Sequence, residues 1–175
     1  MLNPKIEKAL NEQLNKEFFS SYLYLSMSAY YSTLSLDGFA NWMRVQYDEE
    51  FFHAMKFYAY IIERGGKVVL ETITKPQTDW EGVIDVFEAT LEHERFVTSS
   101  INNLASLAVE EKDHATINFL NWFVNEQVEE EATAENILNK LKLIGEDGNG
   151  VYMMDKELAT RVFVPPVTPA AKKQP

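Results

Sequence analysis

Asp48-Glu49-Glu50-Phe51-Phe52-His53-Ala54 sets a carboxylate and an imidazole three residues apart inside a long run of helical periodicity. Residues at that spacing share a helix face, so Glu50 and His53 together offer half of a metal site. The stripe that carries them reads Phe39, Met43, Gln46, Glu50, His53, Phe57, Tyr60, apolar toward both ends and polar in the middle. A half-site of this kind requires other helices to bring further carboxylates to the same depth.

Working outward, Gly and Pro fall almost wholly between periodic segments and mark their limits. The pattern predicts a first helix from about Pro4 to Thr33, with Pro4 in the first turn and Leu10, Glu17, Tyr24 and Tyr31 recurring every seven residues. After the break at Ser35-Leu36-Asp37-Gly38, Asp37 is the expected cap of the second helix, which runs to Arg64 and is stopped by Gly65-Gly66. Lys67 to Glu81 is a connector with a short β-like Val68-Val69-Leu70. Helices of ~28 residues are ~42 Å long at ~1.5 Å per residue, and fifteen extended residues reach ~50 Å. The connector can therefore cross the bundle end to end and start the third helix parallel to the second. That helix is expected from about Gly82 to Glu111, on a stripe of Ile84, Phe87, Leu91, Glu94, Thr98, Ile101 and Ala105. A turn at Lys112-Asp113-His114 leads to the fourth, which ends at Gly145 and carries Leu120, Phe123, Gln127, Glu130, Ala134, Ile137 and Leu141. Asp155 is the expected cap of a short fifth helix reaching about Phe163. The prediction is all-α: a four-helix bundle with a long crossover between the second and third helices plus a short C-terminal fifth helix, in one domain over 1–163, with a loose Pro-rich tail over 164–175.

The two halves repeat. Glu17 to Glu94, Glu49 to Glu126, Glu50 to Gln127 and His53 to Glu130 are each separated by 77 residues. Depth agrees with the repeat: Glu17 lies about 18 residues before the first hairpin turn and His53 about 18 after it, so in antiparallel helices they stand level. Glu94 and Glu130 do the same around the second turn. Burying this many carboxylates without compensation would cost several kcal/mol for each ion. Divalent cations would offset it, and oxygen-rich ligation with one imidazole suits iron or manganese better than structural zinc. The repeat is imperfect, because Gln127 and Glu130 stand where Glu and His would make it symmetric.

Composition narrows the alternatives. With 27 Asp+Glu against 16 Lys+Arg and a net charge of -11, the chain lacks the basic face of a nucleic-acid binder and favours cations. There is no Cys, which removes disulfides, thiolate metal sites and cysteine nucleophiles and fits a cytoplasmic location. Neither a signal peptide nor a membrane-spanning run is present in the sequence pattern.

Taken together, Leu10 to Asn15, Glu17, Tyr24, Glu49-Glu50-x-x-His53, Glu94, Asn118-Phe119-Leu120-x-Trp122 and Glu126-Gln127-x-Glu129-Glu130-Glu131 resemble the non-haem bacterial and archaeal ferritins over roughly 1–163. The resemblance implies a ferritin-like bundle that oxidises Fe(II) with O2 and stores ferric mineral inside a shell of twenty-four subunits. It implies one iron held by Glu17, Glu50 and His53 and a second by Glu50, Glu94 and Glu130, with Glu50 bridging and Gln127 alongside. It also implies a third position at Glu49, Glu126, Glu129 and Glu130, and a role for Tyr24 in electron or proton transfer. Read on their own, Tyr24 is equally a core aromatic with a satisfied hydroxyl, and Glu49, Glu126 and Glu129 are equally a solvated helix face. His93 and His114 read as incidental, His93 lying about 100° from Glu94 on its helix. Trp122 reads as core or interface. Related haem-binding bacterioferritins carry a Met where Phe52 stands, so no haem is expected. The alternative function is a non-catalytic cage that binds or buffers divalent metals; a di-iron oxygenase would need an open pocket where bulky Tyr24, Phe57 and Phe123 stand.

Phe18, Phe19, Tyr22, Tyr30, Tyr58 and Phe119 lie off the ligand stripes, more apolar surface than one bundle interior needs. Light scattering is expected to return a multi-subunit mass; a monomeric mass would contradict this reading.

Overall fold

Caps set the helix limits. In the computed structural model, which describes residues 2–145 and 147–165, Asn3 accepts from the Lys5 amide at 2.9 Å and Pro4 opens α1 (Pro4–Thr33). It is followed by α2 (Asp37–Glu63), α3 (Val83–Glu110), α4 (His114–Ile144) and α5 (Gly148–Leu158). Gly65, at φ 71°, takes the left-handed conformation that ends α2. Asp113 accepts from the Thr116 amide at 3.1 Å to cap α4, and its other oxygen binds the Arg64 guanidinium at 3.0 Å, tying the end of α2 to the start of α4.

Two expected caps are placed differently. Asp37 is the first residue of α2 and makes no capping bond; the position before it is Leu36. The cap comes from Asp155, whose Oδ1 accepts from the amides of Gly38 at 2.7 Å and Phe39 at 3.1 Å. Asp155 thus caps a helix, but not its own. Helix α5 starts earlier than expected, with Asp147 accepting from the Gly150 amide at 3.0 Å, and it ends at Leu158 rather than near Phe163. The approach is so close that a Cβ on Gly38 would lie 1.7 Å from the Asp155 carbonyl oxygen, which excludes any side chain there.

The connector crosses the bundle as its length requires. Val68-Val69-Leu70 is extended but forms no strand, and the described residues contain none. Its backbone is paired with asparagine side chains instead. The Asn11 amide donates to the Lys67 carbonyl at 2.9 Å and accepts from the Val69 amide at 2.7 Å. Asn15 repeats this one step on, to the Val69 carbonyl at 3.0 Å and the Glu71 amide at 2.9 Å. The match is metric: four helical residues rise ~6 Å and two extended residues ~6.6 Å. Farther along, Ser26 donates to the Gln77 carbonyl at 2.7 Å, Tyr30 to that of Trp80 at 2.9 Å and Tyr31 to that of Val83 at 3.0 Å. The connector runs in the direction of α1, so α3 begins at the end where α2 begins and the two are parallel.

The apolar interior is split in two. One cluster gathers Tyr24, Met27, Tyr31, Phe39, Phe87 and Ile137 with their neighbours. The other gathers Leu10, Leu14, Phe57, Ile101, Leu120 and Phe123. On every long helix the gap between them falls at the polar layer: before Leu23 on α1, before Ala54 on α2, before Val97 on α3 and before Ala134 on α4. The expected tail from 164 extends beyond the described residues from Pro166 onward. No described helix is long and apolar enough to cross a membrane.

Asp155→Ala removes the side-chain cap on α2 and is expected to lower stability by about 1–2 kcal/mol, with Asp155→Asn losing less. Thermal or guanidinium unfolding of the full-length protein measures the difference.

Candidate metal centre

Each long helix sends its stripe's polar residue inward at the gap between the two apolar clusters. Glu17 from α1, Glu50 and His53 from α2, Glu94 from α3, and Gln127 and Glu130 from α4 are all buried, none more than 6 % exposed. Glu17, Glu50 and His53 each offer a donor atom within 4.8 Å of the other two, and so do His53, Glu126 and Glu130. His53 Nδ1 lies 3.4 Å from Glu50 Oε2. His53 therefore belongs to both groups.

The two halves of the layer are not equivalently satisfied. In the second half, Glu94 Oε1 accepts from the Tyr24 hydroxyl and Oε2 from the Gln127 amide at 3.1 Å. Gln127 also reaches Thr98 Oγ at 3.3 Å, and Glu130 Oε2 accepts from the Gln46 amide at 2.6 Å. In the first half, Glu17 Oε1 accepts from the Gln13 amide at 2.8 Å, but Glu17 Oε2, both oxygens of Glu50 and His53 Nδ1 are buried without a hydrogen-bond partner among the described residues. Native proteins rarely leave such atoms unpaired, each being worth about 1–3 kcal/mol and more when charged. Glu17, Glu50 and His53 each bring one donor atom to a common group within 4.8 Å.

Electrostatics follow from this burial. Desolvation, then the neighbouring Glu50, lifts Glu17 well above the ordinary carboxylate range. Glu50 is lifted in the same way by desolvation and then by the charges of Glu94 and Glu130. Desolvation also raises Glu94 against the lowering effect of its bonds to Tyr24 and Gln127. Glu130 is pushed up to about 8 by burial, then by Glu94 and Glu49. The Tyr24 phenol is driven well above its usual value by burial and by Glu94, so it stays a proton donor.

Toward the surface lie the remaining acidic residues. Glu126 is half-buried beside His53 and Glu130, Glu129 is exposed, and Glu49 is half-buried and bound by Arg161. Burial raises Glu49 in spite of that guanidinium, and raises Glu126 as well. Trp122, expected in core or interface, packs edge-on against His53 at 5.3 Å between ring centroids. Phe52 meets Trp122 and Phe163.

Several contributing residues lie outside the predicted ligand set. Gln13 and Gln46 each lie four residues before a buried glutamate, Glu17 and Glu50, and that recurrence, with the place of Gln46 on its stripe, is the sequence clue to them. Behind Gln13, Ser100 donates to Gln13 Oε1 and the Lys16 ammonium donates to Ser100, both at 2.6 Å. His93 is less incidental than its angle on α3 indicates. It bonds Ser20 at 2.8 Å, sets its ring edge-on to Tyr24, and is held neutral by burial, its value lowered to about 4.

Comparison with known proteins decides the family, because the family model described as Ferritin-like domain matches residues 7–144. The chain belongs to the ferritin family. It is 46% identical over 163 residues to a bacterial non-heme ferritin of Staphylococcus epidermidis, covering 93% of this chain and 98% of that one. A bacterial non-heme ferritin of Staphylococcus aureus strain MRSA252 is 43% identical over the same shares. Among solved structures, a humanized archaeal ferritin superposes with a TM-score of 0.93 at 50% identity, over 94% of this chain and 100% of that one. An open pore ferritin from the hyperthermophilic archaeon Archaeoglobus fulgidus superposes with a TM-score of 0.92 at 49% identity, over 93% and 99%. In this ferritin the donor set, hard carboxylate oxygens with one imidazole, matches what iron takes in either common oxidation state. The four donor atoms without a hydrogen-bond partner among the described residues leave coordinating capacity for an ion.

Carboxylates whose values are raised on folding hold protons that the unfolded chain releases near 4.5. The contribution of these groups to the stability of the metal-free protein is then fully present below that value and is lost as pH rises toward about 8, the region where Glu130 ionises. Melting temperatures taken from about pH 5 to 8.5 are expected to fall, and Glu130→Gln is expected to flatten the decline.

Proposed function

We propose that this ferritin subunit is a ferroxidase of an iron-storing shell, with Fe(II) and O2 as substrates and the buried carboxylate layer as the reaction site. The observation that carries the reading is the set of four buried, unpaired donor atoms on Glu17, Glu50 and His53. One Fe(II) binds there. A second is held by Glu50, Glu94 and Glu130, with Glu50 shared, a reading supported by the closeness of Glu50 to Glu17, Glu94 and Glu130, whose charges all act on it or it on them. Each Fe(II) gives up one electron to O2, which with two protons leaves as hydrogen peroxide, and the ferric product moves on to the mineral in the shell.

The chain's own groups serve distinct ends. Uptake of each ion displaces protons from carboxylates that burial keeps protonated, so binding is coupled to proton release. The Gln13 and Gln46 amides fix one oxygen each of Glu17 and Glu130 and leave the other to the substrate. Tyr24 and Gln127 restrain Glu94, and Tyr24 is placed to hand on a proton at Glu94 Oε1. Phe57 and Phe123, packed at 4.4 Å between ring centroids, close the layer on the His53 side and exclude bulk water. With Tyr24 they fill the space that an organic substrate would need, and all three are fully buried. Unlike surroundings make the two iron positions unequal, because Gln127 gives its amide to Glu94 and Thr98 where a second Glu would have offered oxygens.

Glu49, Glu126, Glu129 and Glu130 form a third, outer position through which iron passes. The assembly is a homo-oligomer of twenty-four copies in the cytoplasm. Glu17→Ala or His53→Ala is expected to abolish the fast phase of aerobic Fe(II) oxidation, at least about a hundredfold, while particle mass by light scattering is unchanged. Wild-type oxidation rates in either variant would refute the assignment. A cage that only binds or buffers divalent metals would take up Fe(II) anaerobically and form no mineral on admission of O2.

A further inference from the structure

Arg161 lies three residues beyond the end of α5, yet its guanidinium is directed back into the bundle. One nitrogen donates to Gln46 Oε1 at 2.5 Å and another to Glu49 Oε2. The planar group rests over Trp42, 4.4 Å from the ring centroid, and the Arg161 carbonyl is held by the Asn41 amide at 3.0 Å. Gln46 passes its other end to Glu130 at 2.6 Å. The only cationic group bonded to any of the proposed ligands, among the described residues, is thus Arg161. Beside it opens a surface cleft of about 440 Å³ lined by Trp42, Glu129, Thr133, Asn136, Glu157 and Arg161.

We propose that Arg161 is a tethered cation that holds the outer metal position of the metal-free subunit, and that a metal ion binding at Glu49 displaces it into this cleft. A guanidinium and a divalent ion cannot share one carboxylate at ~4 Å without repelling each other, most strongly away from bulk water. Displacement reaches inward as well. Once Arg161 leaves Gln46 Oε1, the Gln46 side chain loses the anchor that aims its amide at Glu130, and Glu130 is freed to turn between the inner and outer positions. Arg161 is a positioning residue in this scheme: it touches no substrate, and it couples occupancy of the outer position to the mobility of an inner ligand. The proposal rests on the outer position described under Proposed function.

The test is anaerobic calorimetric titration of the assembled, metal-free, full-length protein with Zn(II), which is redox-silent. Wild type, R161M, R161Q, R161K and E49Q are compared. Wild type is expected to show an inner class of sites and a weaker outer class. R161M and R161Q, both neutral, are expected to tighten the outer class about tenfold, the change that loss of one competing charge-assisted contact brings, and to leave the inner class in place. R161K keeps the charge and is expected to stay within about threefold of wild type, which separates charge from packing over Trp42. E49Q is expected to remove the outer class. Unchanged outer affinity in R161Q with an intact inner class would overturn the proposal. Absence of an inner class in wild type would overturn the metal-centre reading, and the proposal with it.

Discussion

Everything in this subunit is arranged around carboxylates that have been taken out of water. A single buried glutamate is normally neutralised or paired, because desolvating an uncompensated charge is prohibitive. Here Glu17, Glu50, Glu94 and Glu130 occupy one layer, and the apolar core parts on either side of it. The long helices supply the rigidity that such a layer demands. Rigid helices fix donor positions that loops would let relax, and relaxation would allow these groups to find water or each other. The polar residues around the layer do not neutralise it. They fix orientation, leaving capacity for a cation on the side of Glu17, Glu50 and His53.

Much of this was legible in the chain because it obeys local or periodic rules. Helix lengths follow from stripes and breakers, and Pro4 and Thr33 bound α1 as read. The level of the layer follows from counting residues to each hairpin turn, and the crossover follows from comparing two lengths. The details that escape depend on contacts between residues far apart in sequence. A local pattern assigns Asp37 to the helix it precedes, yet α2 takes its cap from a residue more than a hundred positions away. A helical wheel gives the angle between His93 and Glu94 and nothing of Ser20 on the neighbouring helix, which draws His93 inward. Gln46 sits on the stripe, but only the fold shows that it joins Glu130 to Arg161.

Pairing of the connector with Asn11 and Asn15 shows how a long segment without secondary structure stays in register. Each side-chain amide imitates one rung of a β-ladder, so the segment's backbone groups find partners without a second strand. Side chains on the connector are thereby left free, and Val69, Leu70 and Ile73 stand exposed.

The cap that Asp155 gives to α2 has a consequence in time. Synthesis proceeds from the N-terminus, and Glu50 and His53 exist as part of a helix long before residue 155 has been added. Until it arrives, the amides of Gly38 and Phe39 have no side-chain acceptor, and the start of α2 is free to fray. Closure of the last helix over the first hairpin therefore acts as a clasp, so that a chain cut short before α5 leaves the helix bearing the half-site open at one end.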